Sequence, residues 1–277
     1  MTHLDYPSHT SLPYYRKKGA SLYEAMREQQ SVNIRQISQN RAEQIGYYRF
    51  LGNENVTVSE LVHSVADQCQ QQVEGLHVLS ISDTSEINLQ GHKGRLKPEG
   101  IGVVGNNRDV GFFIHPTLAL NAETGFPLGI SALHLWTREP GHKDKHQRSY
   151  QKLPIEEKES YKWLLSAEKS NQCLHAGRVR RVTHISDREG DMYEEWASEP
   201  DAHTHLLIRA CKNRRLWGKS TSLYADLSAQ PCAGTYYDTG SSRPTERKHR
   251  TGSILGSADC QSPHSTSRQS QCPGLSP

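Results

Sequence analysis

No long apolar run occurs in this chain. Of its 277 residues 34% are hydrophobic and 23% charged, with a mean hydropathy of -0.76. Nothing approaches the ~18 consecutive apolar residues that a membrane-spanning helix requires, so no membrane partner is expected. The opening stretch MTHLDYPSHTSLPYYRKKGA lacks an apolar h-region, which argues against a secretory signal. Cysteine is present but unpatterned. Six residues (69, 173, 211, 232, 260 and 272) form no Cys-x-x-Cys pair and no repeated spacing. That excludes a disulfide scaffold or a zinc ribbon as the organising principle and suits a reducing cytoplasm. A dominant charge is missing too: the formal net charge is +3 and the pI about 8.5. Such a balance permits nucleic-acid binding without requiring it. No internal repeat is visible.

What is present divides the chain in three. Residues 1–75 read as a small helical domain. ASLYEAMREQQ and IRQISQNRAEQIGYYRFL carry apolar residues at helical intervals, and TVSE supplies a capping box from Thr57 and Glu60. Leu61, Val62, Val65 and Cys69 then make a candidate buried stripe. Residues 76–237 change character. LHVLSISDTS suits a short strand running into Asp83, and the Gly-rich stretch after it reads as loop. FFIHPTLALN and PLGISALHLWTR are long strands joined by the hairpin signal AETGF. IEEKESYKWLLSAEKSNQCL is helical, with Tyr161, Leu164, Leu165 and Ala167 near one face. RVTHIS is a strand ending at Asp187, DMYEEWASE a short helix, and HTHLLIRAC another strand. The order predicts a mixed α/β sheet with helices on its faces. Residues 238–277 are rich in Ser, Gly, Pro and Thr and nearly empty of large apolar residues. Too little could be buried there to offset the entropy of ordering, which predicts a disordered tail.

Two strands thus end on an aspartate. Carboxylates on neighbouring strand ends can hold one or two Mg²⁺ ions, which take oxygen ligands and keep sites open to a substrate phosphate. Two such ions stabilise both the attacking and the leaving oxygen of an in-line phosphoryl displacement. A strand-end aspartate is as readily a turn former or a helix N-cap, and spacing alone does not choose between these readings.

YYRFLGNENVTVSEL, HVLSISDTSEINL, the long hairpin and HISDREGDMYEEW, in that order, resemble the DDE transposases of bacterial insertion sequences, in the family that includes the transposase of transposon five. The resemblance spans about residues 44–227, and DREGD departs from that family's Asp-Arg-Glu-Ala-Asp signature only at Gly190. It implies a ribonuclease-H-like core, incomplete here, behind a helical DNA-binding domain. Asp83 and Asp187 would be the first two acids of an Asp-Asp-Glu triad that ligates two Mg²⁺ or Mn²⁺ ions. The activity implied is DNA cleavage at transposon ends and strand transfer into target DNA, by a homodimer in the bacterial cytoplasm and nucleoid. Arg49 matches a position expected to touch end-sequence DNA, and Arg188, within the second acid's motif, is a further DNA-binding candidate. Arg16, Lys17, Lys18, Arg35 and Arg41 are candidate phosphate contacts on charge alone.

The third acid of that family lies in a Tyr-x2-Arg-x3-Glu-x6-Lys signature, which is missing. Glu246 is the only glutamate after Glu199, with Ser242 where Arg belongs and Ser253 where Lys belongs. From about residue 237 the text resembles sequence read out of frame. The expectation is a transposase-derived chain inactive for want of its third acid. The alternatives are a non-catalytic DNA-binding inhibitor occupying element ends, and a nuclease recruiting Glu189 or Asp191. His142 and His146 in GHKDKH could ligate a metal, although the neighbouring Pro140 and Gly141 favour loop. His115, His134 and His184 read as ordinary strand residues. Trp136, Trp163 and Trp196 read as core or interface aromatics. Arg209 is a candidate either for a DNA channel or for an ion pair, and RRLWGK (214–219) for a phosphate-contact loop.

Overall fold

A computed structural model describes residues 13–105, 107–141, 153–216, 218–238 and 250–255, with side chains within 17–231. Helices come first, as the spacing of apolar residues predicts. α1 (Pro13–Gln29), α2 (Ile34–Ile37) and α3 (Arg41–Leu51) enclose a small core of Leu22, Ile37, Tyr47 and Phe50. Asn33 caps α2 and Asn40 caps α3, each side chain accepting a hydrogen bond from an orphan backbone N–H. Tyr47 is buried with its hydroxyl 3.1 Å from Ser21 Oγ, which spares it an unpaired polar atom.

The fourth helix, α4 (Val58–Gln70), is capped where the capping box predicts: Thr57 Oγ1 accepts the Glu60 N–H at 3.1 Å. Its buried face differs from the expected stripe. Cys69 and Ser64 are buried, Leu61 and Val62 are half-buried, and Val65 is exposed. α4 packs not on the first three helices but on the sheet and on a later helix, where Cys69 joins Val73, Val78, Ala119, Leu174 and Val182 in the main core.

The sheet is mixed. β1 (His77–Ser82) lies between β4 (Asp109–Asn121), antiparallel, and β6 (Arg181–Ser186), parallel; β7 (Thr204–Ile208) continues parallel beyond β6. β5 (Pro127–Trp136) pairs antiparallel with the other side of β4. β2 (Ser85–Asn88) lies against β4 beyond the end of β1. The Gly-rich stretch expected to be loop holds a short helix, α5 (Pro98–Ile101), and β3 (Val103–Val104), which pairs with the start of β4. Gly111 makes that convergence possible, because a Cβ there would collide with the Ile87 carbonyl and lie 2.8 Å from Val104 Cγ2.

α6 (Tyr161–Ala176) packs across β5, β4, β1 and β6. Its buried face is Trp163, Ser166, Ala167, Ser170 and Leu174, whereas Tyr161, Leu164 and Leu165 are half-buried. Alternate residues of β4 from Phe113 to Ala119 are buried, including His115 and Thr117. This face of the sheet is therefore partly polar, and hydroxyls pair across it. Ser170 Oγ sits 2.9 Å from Ser80 Oγ and 2.8 Å from Ser131 Oγ, and Ser131 donates to the Thr117 carbonyl at 3.3 Å. α7 (Tyr193–Ser198) places Trp196 against Leu206 and Ile208 of β7. α8 (Leu223–Ser228) buries Leu223 and Leu227 against Leu216. Where composition predicts a tail without structure, β9 (Arg250–Leu255) pairs antiparallel with β8 (Cys232–Asp238). Residues 239–249 and 256–277 lie outside the described residues.

Ser170→Ala should lower stability by about 1–3 kcal/mol, because it leaves the buried Ser80 hydroxyl without its partner. A urea unfolding midpoint equal to that of the native chain would show that the hydroxyl relay carries no net energy.

Candidate functional site

Pairing of β1 with β6 runs in step from His77 opposite Arg181 to Ile81 opposite Ile185. Carrying the same register two residues further sets Asp83 beside Asp187, on adjacent strands about 4.8 Å apart. Both are exposed. Each uses one oxygen locally. Asp83 Oδ1 accepts the Thr84 N–H at 2.8 Å, and Asp187 Oδ1 accepts the Glu189 N–H at 2.7 Å, capping a single 3-10 turn from Arg188 to Gly190. The turn-forming and N-capping roles open to such residues are thus both filled. Oδ2 of each carboxylate makes no hydrogen bond among the described residues, which leaves a pair of oxygens facing solvent at the sheet end.

The turns beneath these acids are pinned from below. His115 Nδ1 lies 2.9 Å from Thr84 Oγ1 and the ring stands edge-on to Trp163 at 4.5 Å. Burial pushes the His115 imidazole down to about 3, helped by the nearby Lys162 and His134. It stays neutral and serves as a fixed hydrogen-bonding strut. On the other side Gly190 is required: a Cβ there would collide with Ser186 Oγ and lie 2.7 Å from Ser186 Cβ.

Beside the two acids opens a cavity of about 420 Å³, lined by Thr84, Glu86, Phe113, Trp136, Lys162 and Glu189 among others. Lys162 is its least expected member. Its side chain is only 10% exposed, with Nζ 3.1 Å from Glu189 Oε2, 5.3 Å from the Trp136 ring centroid and 5.9 Å from that of Trp163. Aromatic faces and one carboxylate therefore hold a nearly buried cation next to the Asp187 turn. Arg138, also lining the cavity, is bidentate to Glu159 at 2.6 and 2.7 Å and lies over Phe113. With Glu86, Glu159 and Glu189 against Lys162 and Arg138, the cavity carries a carboxylate excess before Asp83 and Asp187 are added. Its field favours a cation. Among the described residues no group of three or more His, Cys, Asp or Glu side chains is placed to hold a metal.

Asp191, weighed as a substitute acid, does structural work. Its side chain is fully buried and accepts from the Cys211 N–H at 2.6 Å, the Lys212 N–H at 3.2 Å and Arg214 Nη1 at 2.6 Å. Arg214 also donates to the Asp191 carbonyl and lies over the Trp196 ring at 4.3 Å. Within RRLWGK, Arg214 is committed to Asp191 and Lys219 bonds Asp226, whereas Arg215 is exposed. Arg209 is exposed, and its backbone N–H reaches the Ser186 carbonyl at 3.3 Å, which puts it beside the Asp187 strand end. Arg188 is exposed on the capped turn.

The basic residues of the first helices have unequal fates. Lys17, Arg35, Arg41 and Arg49 are exposed, and Arg41 donates to Gln44 at 2.9 Å. Lys18 instead lies over the Tyr47 ring at 4.8 Å with its chain against Gly46, so it is a packing residue as much as a free charge. Arg16 is in α1, with its side chain outside the described residues, as are His142 and His146. On α3, Arg41, Ile45, Tyr48 and Arg49 share one exposed face at helical spacing.

No protein family and no curated protein matches the chain. Among solved structures it is similar to a piggyBac transposase synaptic complex with hairpin DNA, at 11% identity and a TM-score of 0.38, over 81% of this chain and 46% of that one. The chain thus spans about half the length of that protein, and at that score the likeness decides neither fold nor activity. The resemblance to insertion-sequence transposases rests on the motifs of this chain alone. Among the described residues no helix is long and apolar enough to cross a membrane.

A second polar cluster lies under α7. Glu195 is buried with Oε2 lacking a protein partner, and burial, then Glu199, raises its carboxyl to about 8. Asn171 links Glu199 to His184 by bonds of 2.7 and 2.8 Å, and burial, then His175, lowers the His184 imidazole to about 4.

Two outcomes are expected. Asp191→Ala should cost roughly 3–5 kcal/mol, since it strands a part-buried Arg214, while Asp83→Asn and Asp187→Asn change stability by less than about 1 kcal/mol; equal losses in chemical denaturation would refute the division of roles. The second concerns pH. Folded Glu195 keeps a proton between its ordinary 4.5 and about 8 that the unfolded chain has shed, so its contribution is full below 4.5 and lost as pH rises through 8. His184 acts oppositely: its contribution is full above 6.5 and lost as pH falls through about 4. Stability should decline from pH 6.5 to 8, and Glu195→Gln should flatten that decline; an unchanged slope in the variant would assign it elsewhere.

Proposed function

We propose that this chain derives from a cut-and-paste transposase of the DDE type, retaining DNA binding and two of three metal-binding carboxylates but not strand transfer. The observation that carries the reading is the parallel, in-step pairing of β1 with β6, the two strands that Asp83 and Asp187 follow. The strand order β5–β4–β1–β6–β7, an antiparallel meander followed by two strands parallel to β1, supports a ribonuclease-H-like core. The exposed face of α3, with Arg41 and Arg49, supports duplex DNA as the partner, contacted through its phosphates. The same reading makes transposon ends and target DNA the natural partners, a homodimer the working form, and the bacterial nucleoid the location.

Asp83 and Asp187 would hold Mg²⁺ or Mn²⁺ through their uncommitted oxygens, and the carboxylate excess of the adjoining cavity suits that charge. When bound, the ion would stabilise the charge that develops in phosphoryl transfer. The chain's own residues prepare the place. Thr84 and His115 hold the turn behind Asp83, the Glu189 N–H holds Asp187 in position, and Lys162 balances the acids from behind. The Tyr-x2-Arg-x3-Glu-x6-Lys signature does not occur within these 277 residues, so they supply Asp83 and Asp187 without a matching third acid. The exposed basic face of α3 equally favours a second reading, a non-catalytic inhibitor that occupies element ends.

The test uses the full chain, Mn²⁺ calorimetry and nicking of supercoiled plasmid. Native protein should bind Mn²⁺, and Asp83→Asn or Asp187→Asn should weaken binding by at least the ~10–100-fold that loss of an outer-shell partner costs. Plasmid should remain intact while salt-dependent DNA binding persists in all three proteins. Nicking abolished by either substitution would overturn the inactivity; nicking that survives both would overturn the site. DNA binding with no Mn²⁺ binding would leave the inhibitor reading.

A further inference from the structure

Cys69 stands in the last turn of α4 and is fully buried, while Cys173 stands in the last turn of α6 and is partly exposed. The two helices pack against each other, and Cys69 shares a core cluster with Leu174, the neighbour of Cys173. Cys173 Sγ lies 3.3 Å from the carbonyl oxygen of Ala66, which is one turn before Cys69 on α4. Cys173 Sγ therefore sits against the turn of α4 that carries Cys69. Behind Cys69 the space is closed by β5, where a Cβ on Gly129 would lie 3.1 Å from Cys69 Cβ.

The pair is unequal. The neighbouring Cys69 thiol draws the Cys173 thiol down, against the opposing effects of burial and of the Asp67 carboxylate, and a backbone hydrogen bond at Gln70 adds to the lowering. Cys69 is pushed up by its Cys173 neighbour and by burial. Cys173 is also the partly exposed member of the pair, and Cys69 the fully buried one. Low-pKa, accessible thiols next to a second thiol are the ones that oxidise reversibly.

We propose that Cys69 and Cys173 form a redox-sensitive dithiol, which a hydroperoxide converts into an intramolecular disulfide fastening α4 to α6. The Cys173 thiolate attacks one oxygen of the hydroperoxide; the O–O bond breaks, the alcohol or water leaves with a proton, and Cys173 becomes a sulfenic acid. The Cys69 sulfur then attacks Cys173 Sγ; the S–S bond forms, the S–O bond breaks, and hydroxide leaves with the Cys69 proton as water. The two sulfurs together lose two electrons and the hydroperoxide gains two. A transient disulfide of this kind is compatible with a reducing compartment, where glutathione would reverse it. It stands independently of the DNA-processing reading.

Reduced full-length protein is treated with hydrogen peroxide, unfolded in N-ethylmaleimide, and mapped by mass spectrometry without reductant. The expected principal product is a peptide joining Cys69 to Cys173, with both free of the label and the other four of the six cysteines alkylated. In Cys69→Ala, Cys173 should stop at sulfenic or sulfinic acid; in Cys173→Ala, Cys69 should remain reduced. The native map decides by itself should either variant misfold. Recovery of both residues alkylated, or of either joined to a different cysteine, would overturn the proposal.

Discussion

Most of this molecule's organisation depends on β1 lying between β4 and β6. On one side it is held antiparallel to a strand that follows it through a local meander, and on the other parallel to a strand that can be reached only by crossing over through α6. Parallel pairing in step has a consequence that antiparallel pairing lacks: both strands end at the same edge of the sheet. Asp83 and Asp187 each follow directly on the end of one of these two strands, which run the same way and stop together. The hydroxyl relay from Ser80 through Ser170 to Ser131 joins α6 to two strands at once, so the crossover helix is seated by directional bonds as well as by apolar packing.

Burial decides what each acid of DREGD does. Asp187 and Asp191 belong to one short motif, yet the first is exposed on a turn and the second is fully enclosed with three hydrogen-bond donors converging on it. A buried carboxylate without such donors would be strongly destabilised, so Asp191 is occupied by holding the segment after β7 in place. Glu195 shows the other outcome. Enclosed without enough donors, it retains its proton instead of its charge. Lys162 and Arg138 are held by carboxylates and aromatic faces, so that the cavity beside Asp83 and Asp187 keeps an excess of negative charge in spite of two cations in its lining.

Much of the fold was legible. Helical spacing, the Thr57 cap, the AETGF hairpin and the β-branched runs placed the long elements, because each is a local pattern with a local cause. The faces of helices were read less well. Val65 was expected inside and is exposed, and Ser64 and Ser170 are buried where apolar residues were sought, since a hydroxyl with a partner across the interface is as well accommodated as a methyl group. The short β2, β3 and α5 exist only through their contacts with β4, and no local pattern announces them.

Sequence by itself determined that two strands run into aspartates, that Asp187 and Asp191 flank one glycine-containing turn, and that six cysteines lack any regular spacing. These are properties of neighbours along the chain. Only the tertiary structure decided that the strands preceding Asp83 and Asp187 pair in parallel, that Asp191 is spoken for, that Lys162 is held by Glu189 and that Cys173 packs on the last turn of α4. Each of those depends on the register of a parallel pair or on the packing of helices from distant parts of the chain. Burial and charge compensation act through space, and distance along the sequence carries no record of them.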